Sequence, residues 1–340
     1  MKMLKKGAVC AVILSMILAV TACGSTKPVT SSFEAMDTLM SLTVYGDESI
    51  CDAIETRILS LDEALDATDE NSELYRLNTE KSANVSSDTA DLLSCSLQLC
   101  KELDGSFDIT VYPAVLAWGF TTGEYHVPDD SELQTLAENI NYTAVSLENN
   151  TASIPENVML DLGAAAKGYA ADESLNILQD SPAQAAVLNL GGTVCLYGKK
   201  PDGTRFKVGI ADPENPAGYF GYLSCDEGVV ATSGGYERYF EKDGVTYIHI
   251  LDPATAKPVD NNIRSVTIIC DDGTKADAMS TALFVMGPDK ATQYYQNHSG
   301  FDFIILTADN DLYITEGVYD DFTLADGYDF TVNKVGKSSD

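Results

Sequence analysis

Basic side chains and histidine are scarce in this sequence. Its 340 residues carry 21 Lys and Arg against 52 Asp and Glu, with three His and one Trp, for a net charge of −31. So large an acidic surplus argues against nucleic acid as a partner, because a phosphate backbone would be repelled. It does not bar phosphate chemistry, since a bound divalent cation can supply positive charge locally. After the N-terminal region no stretch approaches the roughly 18 uninterrupted apolar residues that span a bilayer, which excludes a polytopic membrane protein. No CxxC pair is present, and Cys51, Cys95, Cys100, Cys195, Cys225 and Cys270 are too widely spaced for a small disulfide framework. Buried free thiols are the expectation for most of them. What remains is ordinary: 45% hydrophobic and 21% charged residues suit a globular chain with a large core. Its length suggests two domains, or one with two lobes.

The N-terminus reads as an address. Lys2, Lys5 and Lys6 precede an apolar run from Gly7 to Val20, followed by small residues. That is the pattern of a secretory signal. Val20-Thr21-Ala22-Cys23 also fits a lipobox, in which Cys23 becomes lipidated and then N-terminal. Residues 1–22 are therefore expected to be removed, 23–32 to act as a tether, and 33–340 to form the folded domain. Removing 1–22 takes away three lysines and no acid, leaving 52 acidic and 18 basic residues, or −34.

Patterning along the mature chain mixes the two element types. Met40–Tyr45 alternates as a half-buried strand does, and Ile54, Ile58, Leu61 and Leu65 recur at helical spacing between Ser49 and Ala67. A helix is expected from Asp88 to Asp104, stopped by Gly105. Val158–Leu162 reads as a strand entering a helix over Ala164–Gln179. Strands follow at Ala186–Leu190, Arg205–Ile210, Val229–Thr232, Val245–Leu251 and Ser265–Cys270. A helix from Lys275 to Met286 precedes strands at Phe301–Leu306 and Leu312–Thr315. Without regular βαβ alternation, an α+β fold with largely antiparallel sheet is expected. Thr121–Asn150, polar and Asn-rich, reads as an inserted or connecting segment.

Three segments can carry chemistry. Asp161-Leu162-Gly163-Ala164-Ala165-Ala166-Lys167-Gly168-Tyr169 is a turn of very small residues opening a helix, where backbone approaches a ligand closely and Lys167 can meet an anion. Tight helix packing would select the same residues. Asp277 and Thr281 are i and i+4, one above the other on a helix face, and offer hard oxygen donors suited to Mg²⁺. Asp277 would equally suit the helix N-terminus through the dipole. Ala231-Thr232-Ser233-Gly234-Gly235-Tyr236 is followed by His249-Ile250-Leu251-Asp252-Pro253. Strand alternation sets His249 opposite Ile248 and Ile250, where it can serve as a general base or simply hold structure through a hydrogen bond.

Taken together and in this order, the segments resemble the ApbE family, the FAD:protein FMN transferases. The resemblance rests on Met36-Asp37-Thr38, Ser72–Asn78, Gly105–Val111 with Trp118-Gly119-Phe120, Asp161–Asp172, Asn189-Leu190-Gly191-Gly192, and Ala231–Pro258 followed by Asp277–Gly287. It implies the ApbE-type, T-fold-like α+β fold, with flanking helices and an FAD cleft between two lobes. It also implies Mg²⁺ held by the Ala164 carbonyl, Asp277 and Thr281, and FAD surrounded by Met36, Thr68, Phe107, Asp108, Ile109, Asp161, Lys167 and Leu251. The implied reaction passes FMN to a threonine or serine of a partner flavoprotein and releases AMP. His249 and Asp277 would be its catalytic residues, and the enzyme would be lipid-anchored on the outer face of the cell membrane. Three positions depart from the family: Asp37 and Ala256 where it usually has Gly, and Thr68 where many members carry an aromatic. With Thr68, a pyrophosphatase yielding free FMN and AMP is an alternative, unless Tyr75 or Trp118 supplies the stacking. A non-catalytic flavin-binding lipoprotein is the other.

Overall fold

The computed structural model describes residues 27–338; the signal segment and Cys23 lie outside them. Its frame is a nine-stranded sheet in the order Val29–Ala35, Thr38–Tyr45, Ala185–Asn189, Thr193–Gly198, Gly228–Gly234, Ile263–Cys270, Asp302–Thr307, Asp311–Thr315 and Thr331–Val335. Every neighbouring pair is antiparallel except the last, which is parallel. The α+β expectation with largely antiparallel sheet therefore holds.

Strand alternation builds two cores from one sheet. Val229, Ala231, Val266 and Ile268 point to a helical layer, where they meet Ile54, Ile58 and Leu61 of the Glu48–Leu65 helix and Ala278, Ala282 and Leu283 of the Gly273–Asn297 helix. Their neighbours Val230 and Ile304 point to the other face. There they pack on Phe206, Val208, Ile210 and Phe220 from a three-stranded sheet of Phe206–Asp212, Asn215–Cys225 and Phe322–Leu324. A third, smaller core gathers Ala114, Trp118, Phe120, Leu133, Phe240, Leu251 and Ala256. The segment expected as a connector supplies part of it through the Asp130–Asn139 helix.

Several sequence expectations shift. Of the residues expected as a tether, Val29–Ser32 instead pair with Ser41–Val44 as an edge strand. Thr30 and Ser32 face water, and Ser31 on the other face donates to Glu55 at 3.1 Å, so a polar run disguises the strand. Val158–Leu162 is not a strand. The Asn78 side chain satisfies both backbone groups of Leu160, at 2.6 Å from its N–H and 2.9 Å from its carbonyl, in place of a neighbouring strand. The strand expected over Val245–Leu251 breaks at His249, between Val245–Ile248 and Leu251–Asp252. The helix expected from Lys275 to Met286 begins at Gly273 and continues to Asn297 across a kink at Gly287. All six cysteines of the described chain are free thiols, four of them buried. Among the described residues no helix is long and apolar enough to cross a membrane.

Candidate functional site

A cavity of about 320 Å³ opens where the helical layer meets the small aromatic core. Met36, Thr68, Phe107, Asp108, Asp161, Ala164, Lys167, His249, Leu251, Asp277 and Thr281 all line it. Positions spread over some 250 residues of sequence thus converge on one cleft. Ile109 is the exception: it is buried beneath the lining, where its carbonyl accepts the Asp161 N–H at 2.8 Å. Its role here is to hold Asp161 in place.

Two helices form the floor. The Gly163–Gln179 helix begins with its smallest residues, which lets the Gly273–Asn297 helix cross it closely. Asp172 locks the crossing by capping the second helix, accepting from Gly273 N–H at 2.7 Å and from Thr274 N–H at 2.8 Å. One turn further, Asp277 reaches back to the first helix, and its Oδ2 accepts the Gly168 N–H at 2.9 Å. In a regular helix that N–H would serve the Ala164 carbonyl. The other carboxylate oxygen takes only a long 3.3 Å bond from the Thr193 hydroxyl.

Asp277 is therefore a buried carboxylate with spare accepting capacity and no ion-pair partner among the described residues. Burial raises its pKa, and the positive charge of Lys167 pulls it back. Asp161 is raised for the same first reason and is relieved by the Gly163 N–H, Arg238 and Lys167. Seven carboxylates line the cavity against two lasting cations, Lys167 and Arg238. An anionic ligand entering alone would meet net repulsion. The hard oxygens of Ala164, Asp277 and Thr281 fit a divalent cation that would reverse it.

Opposite the floor stands His249. Its backbone N–H donates to the Arg238 carbonyl at 3.0 Å, and its Nδ1 lies 3.1 Å from the same oxygen. A carbonyl only accepts, so Nδ1 carries the proton and Nε2 keeps a lone pair. Enclosure by protein lowers the pKa to about 4, opposed by the bond to Arg238 and reinforced by the charges of Arg238 and Lys167. The imidazole is neutral at physiological pH.

Several lining residues escaped the sequence reading. Glu237 is exposed at the cleft, where desolvation by the surrounding protein pushes its carboxyl up to about 7. Arg238 pairs with Asp37 at 3.1 Å across the mouth. Both lie within the Ala231–Pro258 segment of the family resemblance, which singled out neither. Tyr112 and Phe120 also line the cavity. Tyr75 and Trp118, the expected substitutes for a missing aromatic, do not. Trp118 is buried in the small core, its indole N–H donating to the Ala256 carbonyl at 2.8 Å. Thr68 turns its hydroxyl back to Asp66 at 2.7 Å.

Fold and cleft together define a class: an α+β protein with a cleft floored by oxygen donors and faced by a neutral imidazole. The sequence profile of the ApbE family matches residues 36–305, and the chain belongs to that family. It is 30% identical to the FAD:protein FMN transferase of Treponema pallidum over 341 residues, covering 91% of this chain and 93% of that one. With the enzyme of the same name from Haemophilus influenzae it shares 28% identity over 321 residues, covering 87% and 92%. Among solved structures, the ApbE protein of Thermotoga maritima superposes with a TM-score of 0.80 at 32% identity, covering 86% of this chain and 98% of that one. The flavinyl transferase ApbE of Pseudomonas stutzeri gives 0.76 at 25% identity, covering 84% and 93%.

Proposed function

We propose that this chain is an FAD:protein FMN transferase that attaches FMN to a threonine or serine hydroxyl of an acceptor flavoprotein. The observation that carries the reading is the pairing, across one cavity, of the Asp277 oxygen cluster with a neutral His249 whose Nε2 is free to take a proton. FAD enters with its pyrophosphate toward Lys167 and the start of the Gly163–Gln179 helix, where the dipole and the ammonium favour an anion. Ala164, Asp277 and Thr281 would hold Mg²⁺, which supplies neutralisation of pyrophosphate charge when bound.

The acceptor hydroxyl forms a new P–O bond to the FMN phosphorus, and the P–O bond to AMP breaks. His249 Nε2 receives the hydroxyl proton; Arg238, through its carbonyl, keeps the ring in the accepting tautomer. Tyr112, Phe107 and Phe120 give the cleft its apolar wall. The acceptors are flavin-carrying subunits of membrane or secreted redox systems. Lipidation at Cys23 would hold the enzyme at the outer face of the cell membrane beside them.

Thr68 favours a second reading. With no aromatic side chain at this position, water can compete for the phosphorus, and the products become free FMN and AMP. One experiment separates the two. The protein lacking residues 1–23 is incubated with FAD, Mg²⁺ and a candidate acceptor domain, with the acceptor followed by mass spectrometry and AMP by chromatography. An acceptor gaining the FMN mass with matching AMP, lost in Asp277→Ala, supports transfer. AMP and free FMN without labelling support hydrolysis. Intact FAD beside a competent acceptor would leave only a binding protein.

A further inference from the structure

Three hydroxyls link the floor of the cleft to the strand above it. Ser233, on the Gly228–Gly234 strand, lies 2.7 Å from Ser280 Oγ and 3.3 Å from Thr281 Oγ1, both on the Gly273–Asn297 helix. Ser280 is fully buried outside the cavity, and its Oγ lies 2.7 Å from the Asp277 carbonyl. Ser233 and Thr281 line the cavity.

Each hydroxyl has one proton, and this fixes the direction of every bond. The Asp277 carbonyl can only accept, so Ser280 spends its proton there. Ser280 must then accept from Ser233. Ser233, its proton spent, can only accept from Thr281. The proton of Thr281 is thereby drawn toward Ser233, and its remaining lone pairs face the cavity. Reversed, the chain would aim a proton at the place where a cation should sit.

We propose that Ser233 is a positioning residue that holds Thr281 as a lone-pair donor toward the cation, with Ser280 setting the polarity of the chain. This rests on the reading of Ala164, Asp277 and Thr281 as the cation site. Partners that orient metal ligands in this way typically contribute about 10- to 100-fold in metal affinity.

The test is Mn²⁺ binding to the metal-free protein without FAD, followed by electron paramagnetic resonance of the free ion. Ser233→Ala should weaken binding about 10-fold, with Ser233→Thr restoring it. Ser280→Ala should also weaken it, although it changes no atom of the cavity, because Ser233 can then turn its proton onto Thr281. In a Thr281→Ala background, adding Ser233→Ala should change affinity by less than about twofold, since the two act as one unit. Circular dichroism and melting curves check that each variant folds. Unchanged Mn²⁺ affinity in Ser233→Ala, while Thr281→Ala weakens it, would overturn the positioning role alone, as would full additivity of the pair. Unchanged affinity in both Asp277→Asn and Thr281→Ala would remove the cation site itself, and the positioning role with it.

Discussion

Gly168 and Gly273 meet backbone to backbone where the two floor helices cross. A Cβ on Gly168 would overlap the Gly273 carbonyl, and one on Gly273 would lie 2.5 Å from the Gly168 carbonyl oxygen. The same approach lets Asp277 take the Gly168 N–H. Gly168→Ala should force the helices apart, at a stability cost of about 1–3 kcal/mol from overpacking. Because it also breaks the carboxylate's best bond, Mn²⁺ affinity should fall with it. Urea denaturation and metal titration of the variant check both; loss of stability with unchanged affinity would show that the crossing does not set the site.

Asp277 carries a second expectation. Its buried carboxylate is disfavoured in the charged form, so metal-free Asp277→Asn should melt at a higher temperature than wild type near pH 7. Added Mg²⁺ should stabilise wild type and not the variant. Differential scanning calorimetry with and without Mg²⁺ reads both effects, and a lower melting temperature for the metal-free variant would contradict the assignment.

Glu237 and His249 pull stability in opposite directions. Glu237 is raised from 4.5 to about 7, so its contribution is present below pH 4.5 and lost as pH rises through 7. His249 is lowered from 6.5 to about 4, so its contribution is present above pH 6.5 and lost as pH falls through 4. In metal-free protein, the stability of wild type relative to Glu237→Gln should fall from pH 4.5 to 7, whereas relative to His249→Asn it should rise from pH 4 to 6.5. Denaturation midpoints across this range decide it; two difference curves of the same sign would refute it.

Thr68 is exposed at the mouth and small. Thr68→Tyr should add a stacking surface worth about 0.5–1.5 kcal/mol, roughly two- to tenfold in FAD affinity. It should lower free FMN relative to labelled acceptor. An unchanged product ratio at saturating acceptor would remove position 68 from control of water.

The two departures at usual glycine positions have a shared cause that sequence alone did not reveal. Asp37 and Ala256 both adopt left-handed backbone, with φ of 59° and 55°. Asp37 lies in the two-residue hairpin turn, with an exposed side chain, so Asp37→Gly should relieve about 0.5–1 kcal/mol of strain less the small surface pairing with Arg238. For Ala256→Gly, relief of about 1 kcal/mol is offset by loss of a buried methyl worth about 0.8 kcal/mol, and little net change is expected. Paired melting curves test the ranking.

Periodicity made the core elements legible: Ile54, Ile58, Leu61 and Leu65 are buried as their spacing demands, and strand alternation set the two faces of the sheet. It failed where side chains replace backbone partners. Asn78 satisfies Leu160 from 82 residues away, and no local pattern records that. His249 closes its strand with both its backbone N–H and its ring Nδ1 on the Arg238 carbonyl, a pair of contacts to one oxygen that no alternation pattern records. Eleven of the twelve cleft positions named by family resemblance lie on the cavity wall, Ile109 excepted, yet Glu237 was not singled out, since its altered acidity arises from surroundings that only the folded chain creates.

The six thiols have a practical meaning. Burial raises the pKa of each of the six described thiols, Cys100 and Cys225 to about 12, so almost none is thiolate at neutral pH. A protein that handles redox-active flavin thereby stays chemically mute toward it. In native protein these six thiols should react with iodoacetamide far more slowly than in the unfolded chain.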